Sequence, residues 1–292
     1  MSVINALIET QEFATLPPVA ARILKLLEDD NIDIRDLSKI IEADAPLTLK
    51  LLRVANSPLY ATHTEINSIQ QAIITLGLNR LTNIVLGVSI FSRFLISSQK
   101  QAAELMEKFW WHSSCTGIVA KSLANKIKKQ FREVEFIGGL LHDIGKLVML
   151  QFDSKRYFEI VEIIEKEKIS DLEAEMKVFG VTHLDVGQKI SELWKLPHEL
   201  CTIISNHHSP SSLNSNRAVV SVVRTADLLC EIWGAGFFEG IESIEFAKQE
   251  SWLLLCNEFP ELNQLDVEVF TFELEKDFKN SSEFLNMIIS EK

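Results

Sequence analysis

Residues 138–147 read Gly-Gly-Leu-Leu-His-Asp-Ile-Gly-Lys-Leu, an apolar run that is interrupted by the adjacent pair His142 and Asp143 and by Lys146. On both sides of this stretch, and almost throughout the chain, apolar side chains recur at intervals of three and four, which predicts amphipathic helices. Sustained alternation of apolar and polar residues, which is typical of strands, is almost absent. The sequence therefore predicts an all-α protein.

The helical pattern suggests three consecutive parts. A polar stretch without periodicity at residues 97–101 predicts a boundary. We expect an N-terminal helical lobe in residues 1–100, packed on a helical bundle in residues 101–240. Residues 241–292 are acidic and amphipathic, and we expect a helical extension there.

Composition and charge exclude several function classes. The 292 residues are 47% hydrophobic, which is typical of globular proteins, and the net charge is -12. An acidic surface argues against a broad nucleic-acid footprint and against docking on anionic membranes. Because the sequence also has neither a signal pattern nor a membrane-spanning stretch, we expect a cytoplasmic protein without nucleic-acid or membrane partners.

One segment, residues 76–94, hints at a helix-turn-helix with Gly77 in the turn. The helix after this turn is apolar on nearly all sides. A recognition helix needs an exposed polar and basic face. We therefore expect this helix to be buried core, and we expect no DNA affinity.

Side chains that can bind metals interrupt apolar helix faces at five places: His112, the pair His142 and Asp143, His183, the pair His207 and His208, and Asp227. Each of them alone is usually a hydrogen-bonded core residue or an ion-pair partner. Burying two carboxylates beside several imidazoles is favourable when a cation lies between them. Imidazole and carboxylate are the usual ligands of divalent first-row metals. The set predicts one or two divalent ions (iron, manganese or zinc), with satisfied core residues as the alternative.

Lys146 follows Asp143 by three residues and is expected on the same side of the helix. A lysine beside a metal is well placed for a phosphate oxygen, and a solvated lysine near the helix end is the alternative. In an active enzyme, Lys146 and Asp143 would be the catalytic residues. The pair Gly138 and Gly139, predicted to open this helix, would let another helix approach closely.

The chemistry-bearing residues resemble those of a known superfamily. His112, the pair His142 and Asp143, and Asp227 look like the H…HD…D set of the HD superfamily, whose members are largely metal-dependent phosphohydrolases. Further motifs resemble the HDOD domain, a bacterial signalling module related to HD domains; they lie at residues 16–18, 43–47, 54–57, 72–77, 139–147 and 194–197. The resemblance covers about residues 14 to 235, and it implies an HD-like helical domain with a metal site.

The HD-GYP branch, which hydrolyses cyclic di-GMP, offers the closest functional comparison. There, the residues that match the seven metal-binding candidates contribute to a site with two or three metals. The lysine that matches Lys146 contacts substrate phosphate. This chain differs from that branch at two points. The Gly-Tyr-Pro loop that should follow the paired histidines is absent, and Ser209 and Pro210 follow them instead. Lys108 stands where three-metal members carry an acidic ligand.

These features predict a bacterial signal-transduction HDOD protein with a retained HD-type metal site. It would act as a regulatory or interaction module with protein partners in a signalling pathway, and a nucleotide or phosphate would be its small ligand. The alternative is an active metal-dependent phosphohydrolase that acts on a nucleotide or cyclic dinucleotide. The absence of the Gly-Tyr-Pro loop favours the regulatory function.

Overall fold

The computed structural model describes residue 4 and residues 16–26, 33–57, 59–60, 64–93, 100–241 and 244–279. These residues are mainly helical and include no strand, which confirms the predicted all-α class. The α-helices are α1 (Pro18–Leu26), α2 (Ile34–Glu42), α3 (Ala45–Ala55), α4 (Ile69–Leu76), α5 (Leu78–Arg93), α6 (Lys100–Lys126), α7 (Val134–Leu141), α8 (Ile144–Phe152), α9 (Ser154–Glu167), α10 (Asp171–Val178), α11 (His183–Leu193), α12 (His198–Asn206), α13 (Arg217–Ile232), α14 (Glu250–Glu258) and α15 (Val267–Lys279). Short 3-10 helices lie at Pro210–Ser212, Phe246–Lys248 and Pro260–Gln264.

Helices α1 to α5 form the N-terminal lobe, and side-chain caps fix where several of them begin. Asp33 accepts a hydrogen bond from the backbone amide of Arg35 at 2.8 Å, and Asp44 accepts one from the amide of Leu47 at 3.0 Å. Such caps satisfy amides that the first helical turn leaves unpaired. The apolar faces of these helices then close on one shared core.

Helix α5 is the buried centre of this lobe, as the sequence predicts. Its apolar side chains are at most 1% exposed on nearly all sides: Leu81, Ile84, Val85, Leu86, Val88, Ile90 and Phe91. A Cβ added at Gly87 would lie 2.3 Å from the Ile137 side chain, so α5 and α7 approach closely at this glycine. A helix buried in this way cannot present a face to a DNA groove.

The second lobe is built around α6, whose 27 residues begin at Lys100. Helices α7 and α13 pack along it. A Cβ added at Gly139 would lie 2.7 Å from the backbone of Gly117 on α6, which confirms the prediction of a close approach at the glycine pair. Of the predicted boundary at residues 97–101, residues 97–99 lie outside the described part of the chain, and α6 already includes residues 100 and 101.

The helix predicted to start at Gly138 and to run through the His-Asp pair is wrong at both points. Helix α7 begins four residues earlier, at Val134, and ends at Leu141; α8 begins at Ile144. The His142 ring donates from Nδ1 to the Gly139 carbonyl at 2.8 Å, at the end of α7. His142 and Asp143 therefore occupy the turn between two helices.

A buried polar cluster joins the two lobes. Tyr60 and Arg80 of the N-terminal lobe meet Lys121, Glu133 and Glu135 of the second lobe; we call these five residues the junction cluster. The Glu133 carboxylate accepts from the Tyr60 hydroxyl at 3.0 Å and lies 3.0 Å from Arg80 Nε. The Lys121 ammonium donates to it at 2.7 and 2.8 Å and also lies over the Tyr60 ring. These contacts fix the N-terminal lobe against α6 and α7.

Helices α14 and α15 form a C-terminal layer on the second lobe. Trp252, Leu255, Phe270 and Leu274 are buried in a second apolar cluster with side chains of α6 and α13. Phe272, by contrast, is 59% exposed on α15. Within the described ranges, every helix is too short or too polar to cross a lipid bilayer.

Candidate metal centre

The seven residues predicted as ligands meet in the interior of the second lobe. They are His112 in the middle of α6, His142 and Asp143 in the turn between α7 and α8, His183 at the start of α11, His207 and His208 after the end of α12, and Asp227 in α13. Six of them are at most 1% exposed, and the seventh, His208, is 10% exposed at its side chain. Side chains up to 115 residues apart in sequence thus share one buried region, whose interatomic distances define two sets.

The first set joins α6, the turn and α13. The Nε2 atoms of His112 and His142 lie 3.2 Å apart. Oδ1 of Asp227 lies 3.3 Å from the first of these nitrogens and 3.7 Å from the second. Three ligand-type atoms therefore face a common point, as in a site that could hold a metal ion.

The second set joins the turn to α11 and to the end of α12. The Nε2 atoms of His183 and His207 lie 3.5 Å apart, and they lie 3.3 and 3.4 Å from Oδ1 of Asp143. His208 offers a third ring nitrogen to the same group. The sequence left open which of the paired histidines faces the site; both rings do, with His207 the more deeply buried.

Asp143 lies between the two sets and offers one carboxylate oxygen to each. Oδ1 faces His183 and His207, whereas Oδ2 lies 3.5 Å from His142 Nε2 and 3.8 Å from His112 Nε2. A carboxylate in this position can bridge two neighbouring cations. The position of Asp143 in the turn, rather than on a continuous helix, is what points its carboxylate between the sets.

The opposite nitrogens of the four fully buried rings indicate how the imidazoles are protonated. Nδ1 contacts a backbone carbonyl in His112 (Ala235, 2.9 Å), in His142 (Gly139, 2.8 Å) and in His207 (Ile203, 3.3 Å), and it contacts the Glu175 carboxylate in His183 (2.9 Å). Because the three carbonyl oxygens only accept, Nδ1 of His112, His142 and His207 carries the proton, and Nε2 presents its lone pair in the neutral ring. Metal-binding histidines are commonly oriented by such outer partners.

Two lone pairs that face each other at 3.2 Å form no hydrogen bond, so the first set lacks an attractive partner unless a cation or a proton lies between the rings. Burial lowers the pKa of His142 and His183 to about 3, which keeps both rings neutral at pH 7. At His112 burial acts in the same direction, but Asp227 outweighs it and raises the pKa. A proton and a metal ion would compete for the His112 nitrogen.

Charge in this region is unbalanced toward negative. Two cations, Lys146 and Arg224, face five buried carboxylates: Asp143, Asp171, Glu175, Asp227 and Glu239. Burial raises the pKa of Glu175 to about 8, so this group is mostly protonated at pH 7, and four carboxylates, including the Glu239 carboxylate that Arg224 contacts, remain to face the two cations. Oδ1 of Asp143 and Oδ1 of Asp227 accept no hydrogen bond from a described residue, whereas Oδ2 of Asp143 lies 2.8 Å from the Lys146 ammonium. Unsatisfied buried carboxylate oxygens beside neutral imidazoles fit a divalent cation.

Lys146 is not the solvated lysine of the alternative prediction. It is 1% exposed, because α8 carries it into the interior. Its ammonium lies 2.8 Å from Asp143 Oδ2 and 2.8 Å from Asp171 Oδ2 and forms an ion pair with each. Although burial favours the neutral acid, Lys146 and the nearby imidazoles hold the pKa of Asp143 well below its usual range. The phosphate contact of Lys146 stays a prediction.

Four charged residues of this region escaped the sequence analysis: Asp171, Glu175, Arg224 and Glu239. Asp171 and Glu175 are one helical turn apart, and with Ala174 they form the buried face of α10, a pattern that could have marked them. Arg224 precedes Asp227 by three residues, which places both on one side of α13 and could also have been noticed. Glu239 follows α13 in an irregular segment, where no periodic signal exists.

Comparison of this sequence with known protein families identifies its family. The sequence model of the HDOD domain matches residues 13–210. The chain belongs to the HDOD family. This membership confirms the resemblance drawn from the motifs between residues 16 and 197.

Solved structures share the architecture of this HDOD protein. An HDOD domain protein with unknown function from Geobacter sulfurreducens is 26% identical, has a TM-score of 0.75, and aligns over 94% of this chain and 93% of its own. A candidate phosphohydrolase from Shewanella amazonensis SB2B is 20% identical with a TM-score of 0.70, and the match covers 97% of this chain and 98% of that one. A candidate signal transduction protein from Marinobacter aquaeolei VT8 is 20% identical with a TM-score of 0.67, over 94% and 60% of the two chains. The last two likenesses show the fold alone.

A curated relative, an uncharacterized protein of Treponema pallidum (strain Nichols), is 25% identical over 215 residues, which are 73% of this chain. The matched region is only 41% of the relative's length. This chain therefore spans less than half the length of that relative.

Proposed function

We propose that this chain is a regulatory HDOD protein that retains a divalent metal centre. One observation carries the proposal: four imidazole Nε2 atoms and the unsatisfied oxygens of Asp143 and Asp227 converge in two adjoining groups, while the outer ring nitrogens are already engaged. We assign His112, His142 and Asp227 to one ion and His183, His207 and His208 to a second, with Asp143 between them. Iron, manganese and zinc all suit such nitrogen and oxygen ligands.

Deep burial of the ligands supports a regulatory rather than a catalytic role. A hydrolytic centre must admit both substrate and water, whereas six of the proposed ligands are at most 1% exposed in this structure. Metal bound here would hold α6, α8, α11 and α13 together, so its presence or the binding of a phosphate-bearing ligand would alter the surface offered to a protein partner. A similarly folded protein from Marinobacter aquaeolei VT8 carries a signal-transduction name.

A second candidate function, phosphohydrolysis, is favoured by the bridging position of Asp143. Two adjacent divalent ions would polarise a phosphate ester and lower the pKa of bound water. Lys146 and Arg224 would offset negative charge on a phosphoryl group, and His208, the most exposed of the seven, could exchange protons with solvent. The substrate class would be a nucleotide or a cyclic dinucleotide.

Metal analysis combined with an activity panel distinguishes these functions. The purified protein, reconstituted with iron or manganese, would be assayed for bound metal and for turnover of generic phosphodiesters and nucleotides. His142→Ala and Asp143→Ala are expected to lose bound metal, while the matched control His198→Ala, at an exposed histidine of α12, keeps it. Metal without turnover supports the regulatory function, and turnover lost in both variants supports the enzyme. Metal content no higher in the wild type than in Asp143→Ala would contradict both.

A further inference from the structure

The way from solvent to the candidate metal centre passes beside two residues. Among the charged and imidazole side chains of the centre, His208 is 10% exposed and Arg224 is 12% exposed, whereas the others described above are at most 3% exposed. A ligand that approaches from solvent therefore meets this imidazole and this guanidinium first. We call these two partly exposed residues the mouth of the centre.

The carboxylate of Glu239 already occupies this mouth. Its oxygens accept hydrogen bonds from Arg224 Nη1 at 2.7 and 2.9 Å, and Oε1 lies 3.9 Å from His208 Nε2. That nitrogen has no hydrogen-bond partner among the described residues, although it is buried. The Glu239 side chain itself is 1% exposed. An anion of the protein thus lies where an external anion would enter.

The segment that carries Glu239, residues 233–241, is irregular and attached at separate points; we call it the cap segment. The Glu239 carbonyl accepts from the Asp171 amide at 3.1 Å. The Phe237 ring lies against Phe109 with centroids 5.5 Å apart, and the carbonyl of Ala235 accepts from His112. Side-chain release of Glu239 would leave these other attachments in place.

The bonding of Arg224 leaves part of its guanidinium for another acceptor. Both Glu239 and Asp227 accept from Nη1, so within the described residues the Nε and Nη2 donors keep their capacity. Guanidinium groups recognise phosphate and carboxylate by the same planar pattern of donors. A phosphate that binds here would bring further negative charge next to Glu239, so the two anions exclude one another.

We propose that Arg224, at the partly exposed side of the centre beside His208, forms a binding subsite for the phosphate group of a small phosphate ester, and that Glu239 holds this subsite as an internal anion until a phosphate displaces it. This inference rests on the proposed function in so far as that function includes a phosphate-bearing ligand. It adds the residue that binds the ligand and the residue that competes with it. Occupation by phosphate would free the Glu239 side chain and thereby report on the ligand through the cap segment.

Inorganic phosphate is the probe for this subsite. Isothermal titration calorimetry, in chelator and at constant ionic strength with chloride, would compare the wild type with Glu239→Ala and with Glu239→Gln, which preserves the side-chain volume. Both variants are expected to bind phosphate at least about tenfold more tightly than the wild type, because the competing anion is gone. Adding Arg224→Met to Glu239→Ala should remove the gain, and Glu261→Ala, at an exposed glutamate, should bind as the wild type does.

Three outcomes would overturn the proposal. They are equal phosphate affinity in the wild type and both Glu239 variants, a gain that survives Arg224→Met, and loss of the helical circular-dichroism signal in both Glu239 variants, which would make Glu239 a purely structural partner of Arg224. The titration is independent of metal because it is run in chelator. Absence of metal from the purified protein would therefore contradict the proposed function without deciding this test.

Discussion

Two buried charge clusters in this molecule differ in how completely they satisfy themselves. In the junction cluster, Arg80 and Lys121 face the carboxylates of Glu133 and Glu135, and Glu133 is bonded by three neighbours at 2.7 to 3.0 Å. In the candidate metal centre, carboxylates outnumber protein cations, and oxygens of Asp143 and Asp227 accept no hydrogen bond from the described residues. Glu133 is thus fully paired within the first cluster, where Oε2 of Glu135 accepts no hydrogen bond from the described residues, whereas the second cluster leaves Oδ1 of both Asp143 and Asp227 without a donor.

This difference shows what burial alone does not. Glu133 and Lys121 are 1% and 6% exposed at their side chains, nearly as deep as the residues of the centre, so depth alone does not distinguish a structural ion pair from a ligand site. What distinguishes the two is the number of donors and cations around each carboxylate. A buried carboxylate is stable when donors and cations surround it, and otherwise it needs an added cation or a proton. We therefore expect the junction cluster to determine stability without metal and the centre to determine stability with metal.

The largest expected effect follows from removing the carboxylate of the junction cluster. Glu133→Gln would leave Lys121, which is 6% exposed at its side chain, without its ion-pair partner. Breaking a buried pair in this way costs about 3–5 kcal/mol of unfolding free energy. Urea unfolding of the protein, with metal removed by a chelator, measures this loss of unfolding free energy. Metal content should stay that of the wild type; parallel loss of metal would show that the two clusters are not independent.

The second prediction uses the pH dependence of the same cluster. Burial and the neighbouring Glu133 raise the pKa of Glu135 from 4.5 to about 7. The folded state therefore binds this proton more tightly than the unfolded state does, and the associated stability is present below pH 4.5 and is lost as pH rises through 7. Glu135→Gln should gain stability relative to the wild type between pH 5 and pH 8, by at most about 3 kcal/mol at about 1.4 kcal/mol per pKa unit.

Urea unfolding at several pH values, in the presence of a chelator, would compare the unfolding free energy of Glu135→Gln with that of the wild type. The matched control is Glu165→Gln, at an exposed glutamate of α9, which should follow the wild-type profile. A difference between Glu135→Gln and the wild type that does not change between pH 5 and pH 8 would show that Glu135 is ionised to the same extent in the folded and unfolded chains.

The sequence predicted the fold and the proposed ligands because both leave local signals. Apolar spacing indicated the helices, and polar residues on apolar faces such as His112 and Asp227 indicated the centre. The break between His142 and Asp143 was missed because it depends on a ring-to-carbonyl bond that apolar spacing does not encode. Gly138 was taken for a helix start, whereas it lies inside α7 at a close helix contact.

The residues that orient or balance the centre were harder to find for a different reason. Glu175 and Arg224 act through other side chains, so their role depends on which helices become neighbours. Glu239 lies in an irregular segment and reaches the centre only because the chain returns over it after α13. The excess of buried carboxylates over buried cations is a property of the assembled interior and of no single segment.

A third, smaller effect is expected at the residue that orients His183. Glu175 accepts from the backbone amide of His183 at 2.7 Å and from its Nδ1 at 2.9 Å. Outer partners of this kind typically change metal affinity by about 10–100-fold when they are mutated. Glu175→Gln should weaken metal binding by that factor in a competition titration with a chelator. Glu173→Gln, at an exposed position of the same helix, should leave metal affinity unchanged. Unchanged affinity in both variants would show that Glu175 has no role in metal binding.

The smallest effect concerns the helix cap next to His183. It tests whether this cap, or the contact with Glu175 of α10, positions the His183 imidazole. The Thr182 hydroxyl accepts from the Asp185 amide at 3.3 Å, and Asp185 accepts in return from the Thr182 amide at 2.8 Å. Thr182→Ala should cost about 1 kcal/mol of stability, as should Ser170→Ala at the equivalent cap of α10. Because Glu175 fixes the His183 amide independently of this cap, metal affinity should be the same in both variants. A weaker affinity in Thr182→Ala alone would mean that the first turn of α11, and not its contact with α10, positions the imidazole.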